Sequence, residues 1–190
     1  MRLTKDAAEF LAQLSPLRHQ LHAYALRALN RRHNAADVLQ EVVLIAWNEY
    51  GRFVSGTNFR AWVFRILVNV VFNHNKRGRR ETLHLDGFAD DTLEVSLDDE
   101  LAWEAILRDP DRLDDFLDER IVYALGSLGS TERQCFLLCV LHGFSYKEIA
   151  GLLEIPLGTV MSHVHRARIR LRKHLAGLAS ERRIYVEGES

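Results

Sequence analysis

Apolar residues along this chain recur at intervals of three and four far more often than they alternate. In the run Ala35-Ala36-Asp37-Val38-Leu39-Gln40-Glu41, Val38 begins an apolar face that continues through Val42, Ile45 and Ala46. That spacing predicts a helix beginning near Asp37, whose carboxylate suits a first turn. An earlier helix is expected from about Ala7 to Arg32 and a later one from about Asn58 to Asn75, with Phe59, Trp62 and Ile66 on its apolar side. Gly51, Ser55 and Gly56 mark a loop between these last two helices, and Gly78 is expected to end the block. Helical texture returns from Ile121 to Leu178, after which the polar tail is expected to fray. Strand-like alternation is scarce and the prolines are only Pro16, Pro110 and Pro156, so the fold class is all-α.

The segment Phe144 to Leu171 has the most legible layout. Ser145-x-x-Glu148 forms a capping-box pattern before Ile149, Ala150 and Leu153. The turn Glu154-Ile155-Pro156-Leu157-Gly158 follows, then a second helix is expected from near Thr159 with Val160 and Val164 inward. This is the order of a helix-turn-helix, whose second helix enters the DNA major groove. Met161, Ser162, His163, His165 and Arg166 lie near the start of that helix, and Arg168, Arg170, Arg172 and Lys173 follow. Cations on one element neutralise phosphates, while serine, histidine and arginine donate to base edges.

Charge sharpens the division. The 190 residues carry a net charge of -1, but residues 1–80 sum to +8, residues 81–120 to −12 and residues 121–190 to +3. Two basic modules joined by an acidic segment fit a polyanion-binding protein, although charge runs are also common on plain solvated faces. The acidic segment is broken by Gly87 and Pro110, and Leu93, Leu97 and Leu101 are spaced for a short amphipathic helix. The start of the chain lacks a signal-peptide pattern and no apolar run is long enough to span a bilayer, so a cytoplasmic protein without membrane insertion is expected.

Two polar stripes stand out in the basic first module. Asp37, Gln40 and Glu41 share a face by their spacing, with Asn48 further along, which makes a candidate protein-docking surface. Arg65, Asn69 and Asn73 form another stripe that runs into Lys76 and Arg77, interleaved with Phe59, Trp62, Phe64 and Phe72. Cations, amides and rings together suit single-stranded nucleic acid. Cys135, Cys139 and His142 make a poor metal set, because zinc takes four ligands presented by spaced pairs. His163 and His165 do not share a helix face. No phosphate loop, nucleophile elbow or zincin signature occurs, and neither an enzyme nor a cofactor is expected.

Three stretches in order resemble the extracytoplasmic-function (ECF) family of bacterial sigma factors. They are Ala36 to Val42; Asn58 to Ile66 with Asn69 and the basic block to Arg80; and Gly143 to Ala150 followed by Pro156 to Val160 and Arg166-Ala167-Arg168. The resemblance implies two small helical domains, sigma region 2 over 1–82 and region 4 over 119–178, joined by an acidic linker over 83–118 and followed by a tail over 179–190. It implies that Asp37, Gln40 and Glu41 contact the beta-prime clamp helices of core RNA polymerase, and that region 4 meets the beta flap. Loop 53–58 would cradle a base flipped from the minus-ten promoter element. Asn58, Arg60, Trp62, Arg65, Asn69, Asn73, Lys76, Arg77, Arg79 and Arg80 would hold the opened strand. Thr159, Met161, Ser162, His163, His165, Arg166, Arg168 and Arg170 would serve the minus-thirty-five element. Promoter DNA and an anti-sigma factor are the other implied partners. The chain departs from the family at Ala36, often acidic there, and at Met161 and His163, often basic. The competing readings are a regulator that binds duplex DNA without polymerase, and a nucleic-acid enzyme; the two stripes of the first module favour the sigma factor.

Overall fold

A proline decides the first element. The computed structural model describes the backbone of residues 2–30, 34–81 and 119–186, and the side chains of 6–30, 34–77 and 123–174. Helix α1 spans Arg2–Leu14, a 3-10 turn covers Ser15–Leu17, and α2 spans Arg18–Ala28. The single helix expected over 7–32 is thus two. Pro16 sits at the start of the 3-10 turn, where it lacks an N–H and cannot continue α1. The chain then leaves α2 at Leu29, which is extended.

Helix α3 spans Ala35–Glu49 with Asp37 in its first turn, and a 3-10 turn follows at Tyr50–Arg52. Helix α4 runs Phe59–Glu81, past the expected stop at Gly78. One interior glycine costs only about 1 kcal/mol relative to alanine, too little to end a helix of this length. Beyond residue 118 come α5 at Glu119–Gly126, α6 at Ser130–Val140, α7 at Tyr146–Leu153 and α8 at Leu157–Val186. Helix α8 starts at Leu157 rather than near Thr159, since Pro156 is free to precede a first turn. It also stays helical past residue 179, where fraying was expected. Among the described residues there is no strand. The acidic segment, including Leu93, Leu97 and Leu101, lies outside them.

The helices fall into two compact units. Helices α1–α4 together with residues 147–155 belong to the first; α5, α6 and α8 belong to the second. In the first unit α3 packs on α4 and α2. Val38, Val42 and Ala46 of α3, and Val63, Phe64, Leu67 and Val71 of α4, are wholly buried. Tyr24 meets Phe64 edge-on at 5.9 Å. Each fully buried aliphatic side chain of this kind stabilises by roughly 1.5–3 kcal/mol. In the second unit α8 packs on α6 and α5, burying Val160, Val164, Ala167 and Leu171.

One polar side chain ties α4 to the end of α2. Asn75 is buried; its Nδ2 donates to the Ala28 carbonyl and its Oδ1 accepts from the Asn30 N–H, both at 2.8 Å. The carbonyls of a helix's last turn lack intrahelical partners, and this amide satisfies one of them. Asn75→Ala should destabilise the protein by about 1–3 kcal/mol, since a carbonyl and an N–H lose their buried partner together. Chemical denaturation followed by far-UV circular dichroism measures this, and an unmoved midpoint would refute the tie.

Candidate functional site

Because Val38, Val42 and Ala46 face inward, helical periodicity turns Asp37, Gln40 and Glu41 outward, and all three are at least partly exposed. Glu41 does not stand alone. His74 of α4 places its Nε2 2.8 Å from a Glu41 carboxylate oxygen. The acidic stripe of α3 is therefore tied to α4 through a histidine that lies beside the polar stripe of that helix.

Loop 53–58 is shaped by rings below it and by local bonds within it. Phe53 lies 5.4 Å from Phe59 and 5.1 Å from Trp62, and Phe10 touches both Trp47 and Tyr50. Above this aromatic floor the Thr57 hydroxyl and N–H both donate to the Val54 carbonyl, and Gly56 takes a positive φ of 88° that only glycine adopts freely. Val54 is left 67% exposed, the apolar tip of a tight turn. Asn58 then caps α4, its Oδ1 accepting from the Ala61 N–H at 3.0 Å.

Along α4, Arg65, Asn69, Asn73, Lys76 and Arg77 are exposed, with Phe72 45% exposed among them and Trp62 half-buried. Arg65 carries an exposed ion pair to Glu154 within the first unit, of a kind worth at most about 1 kcal/mol in water. Arg60 is placed differently from its neighbours. Its Nε donates to Gln20, its guanidinium lies 5.3 Å from the Phe64 ring centroid, and burial lowers its pKa. The side chains of Arg79 and Arg80 lie outside the described residues.

The turn between α7 and α8 is built by its backbone. Glu154 takes φ 56°, and the Ile155 N–H returns to the Ala150 carbonyl at 3.2 Å, as in a Schellman ending. The Pro156 carbonyl accepts from Thr159 and Val160 and so starts α8. With Val160, Val164 and Ala167 inward, Met161, Ser162, His165 and Arg166 are exposed, while Thr159, His163 and Arg168 are half-buried. Arg170 is turned to α6, where its Nη1 donates to buried Glu132 at 2.8 Å.

Two family profiles match the chain: Sigma-70 region 2 over residues 15–81, and Sigma-70, region 4 over residues 118–171. The chain belongs to the ECF family of RNA polymerase sigma factors. It is 30% identical to the ECF sigma factor EcfG of Rhodopseudomonas palustris, over 80% of this chain and 76% of that protein. It is also 30% identical to the ECF sigma factor SigE of Mycolicibacterium smegmatis, over 85% of this chain but 60% of that longer protein. Among solved structures, the sigma factor RpoE of Bartonella quintana, crystallised with the anti-sigma factor NepR, superposes with a TM-score of 0.65 at 26% identity, covering 90% of this chain and 98% of that one. Sigma factors of this family bind RNA polymerase and recognise promoters to direct transcription.

Region 2 of this sigma factor contains features that spacing alone did not reveal. The Glu41–His74 contact joins residues 33 apart in sequence, and the floor under the loop draws Phe10 from α1. No local signal pairs such distant positions; only the weak clue of aromatic density around residues 47–62 pointed there. In region 4, Cys135 is wholly buried as expected of a core thiol, and burial pushes its pKa up to about 12. At pH 8 it is therefore almost entirely the unreactive thiol. Iodoacetamide should label half-buried Cys139 well before Cys135 in the folded protein, with peptide mass mapping as the readout; prior labelling of Cys135 would contradict its placement.

Proposed function

We propose that this sigma factor binds core RNA polymerase through Asp37, Gln40 and Glu41 on the beta-prime clamp helices and through region 4 on the beta flap. Its loop 53–58 and the α4 stripe at Trp62, Arg65, Asn69, Asn73, Lys76 and Arg77 then hold the minus-ten element as a single strand. The start of α8 reads the minus-thirty-five element as duplex. The protein acts by binding rather than as an enzyme and works in the cytoplasm. Among the described residues no helix is long and apolar enough to cross a membrane. An anti-sigma factor is a further partner on this reading, as NepR is for RpoE of Bartonella quintana.

One observation carries the reading. The apolar faces of α3 and α4 are consumed by each other, so an acidic stripe and an amide-rich basic stripe are both forced outward on one small unit. A protein surface and a DNA surface side by side are what a polymerase subunit that opens DNA requires. A duplex-only regulator has no use for either. The aromatic floor and exposed loop tip supply a stacking platform for an unpaired base, whose extraction costs a few kcal/mol. Arg60, engaged with Gln20 and Phe64, supports this surface from behind, and Asn58 shapes it as a cap.

The test is transcription by core polymerase plus this chain on genomic DNA, with start sites mapped. Specific starts absent with core alone are expected; failure to bind core polymerase would overturn the reading. Replacing Asp37 and Glu41 together by Lys should abolish holoenzyme assembly by pull-down while leaving circular dichroism unchanged. Raising salt from about 50 to 200 mM should weaken holoenzyme binding to its promoter by orders of magnitude, because each phosphate contact releases counterions.

A further inference from the structure

The first two turns of α8 offer fewer independent donors than a linear reading counts. The Ser162 hydroxyl donates to the Gly158 carbonyl of its own helix at 2.8 Å. Leu157 and Met161, four apart and 48% and 51% exposed, can meet thymine methyl groups but make no bidentate bond. Arg166 can, and it is not alone: one of its terminal nitrogens, Nη2, lies 3.0 Å from Nδ1 of His163.

The chemistry of this pair is asymmetric. A guanidinium has five N–H donors, no acceptor, and keeps its charge at any accessible pH. The contact is a hydrogen bond only when Nδ1 of His163 has its lone pair, so the imidazole is neutral with its proton on Nε2. Burial, and then the Arg166 charge, lower the His163 pKa, which favours this form at neutrality. Glu132 faces it from α6 and pulls the other way, but that carboxylate is held by Arg170. The basic residue common at this position in the family could not accept from Arg166 and would repel it.

We propose that His163 is the positioning residue for Arg166: its neutral imidazole holds the guanidinium in one orientation, and Arg166 so held reads a guanine in the minus-thirty-five element. This rests on α8 being the recognition helix. With one terminal nitrogen bound to His163, the guanidinium keeps donors for O6 and N7 of a guanine and loses much of its rotamer freedom before it meets DNA. Protonation of His163 converts an acceptor into a neighbouring cation and releases Arg166, so guanine selectivity weakens in acid.

The experiment is selection of promoters by the reconstituted holoenzyme from a duplex library randomised at the minus-thirty-five element, at pH 8 and pH 5.5. The wild-type protein should prefer guanine at one position at pH 8, and Arg166→Ala should erase that preference. His163→Lys, a permanent cation, should lower it roughly three- to tenfold at both pH values, the worth of one hydrogen bond. His163→Gln returns an acceptor that does not titrate, and should rescue the preference and make it the same at both pH values. A wild-type preference that neither acid nor His163→Lys reduces would overturn the role of His163 while leaving α8 as the reader. Loss in His163→Gln equal to that in His163→Lys would also overturn it, since packing rather than an acceptor would then be what matters. No preference at any position in the wild type would overturn both this role and the reading of α8 beneath it.

Discussion

The apolar seam between α3 and α4 is the constraint from which the first unit's surface follows. Val38, Val42 and Ala46 on one side and Val63, Phe64, Leu67 and Val71 on the other leave no freedom to rotate either helix. A turn of about 100° would bury carboxylates or amides and expose several valines at once, a change of many kcal/mol. The seam therefore sets the orientation of every polar residue on both helices. Asn75 extends the same constraint to α2, because it answers backbone groups at Ala28 and Asn30. The acidic stripe of α3 and the amide-rich basic stripe of α4 are the outer sides of one packing solution.

Electrostatics then divides labour among cations that look alike in sequence. Lys76 and Arg77 are exposed to solvent, while Arg65, also exposed, pairs with Glu154. Arg60 lies along Phe64 and bonds Gln20, and Arg170 holds a buried carboxylate on α6. A buried carboxylate without its cation is costly, so Arg170 is better described as part of the region 4 core than as a loose phosphate contact. Arg166 sits between these extremes, exposed but oriented by a neighbouring imidazole. The same residue type thus serves as solvated charge, packing element and directed donor within one small protein.

Much of this was legible from spacing. The helix over Ala35–Glu49, the outward stripe at Asp37, Gln40 and Glu41, and the exposed row Arg65, Asn69, Asn73 all follow from the 3.6-residue repeat, since an inward Val38 places its neighbours by geometry. The turn before α8 was visible in Pro156. What spacing misjudged were terminators. Pro16 broke the first helix although its apolar pattern continued, and Gly78 failed to end α4 although glycine disfavours helices. Both cases turn on magnitude: a proline within a helix costs about 3 kcal/mol and removes a bond, while a glycine costs about 1 and removes none.

The sequence by itself determined the all-α class, the order of the three family motifs, and the outward faces of the stripes at Asp37, Gln40 and Glu41 and at Arg65, Asn69 and Asn73. These depend only on local periodicity and on residue chemistry. Tertiary structure alone decided which of those polar residues are occupied and by what. Glu41 with His74, Asn75 with the end of α2, Arg170 with Glu132 and the rings beneath loop 53–58 join positions tens of residues apart. Such pairings are settled by how whole helices pack, and no window along the chain contains both partners. His163 with Arg166 is the instructive middle case. Its i, i+3 spacing was readable, but the 3.0 Å approach of Arg166 Nη2 to His163 Nδ1, on which the proposed neutral imidazole rests, required the geometry.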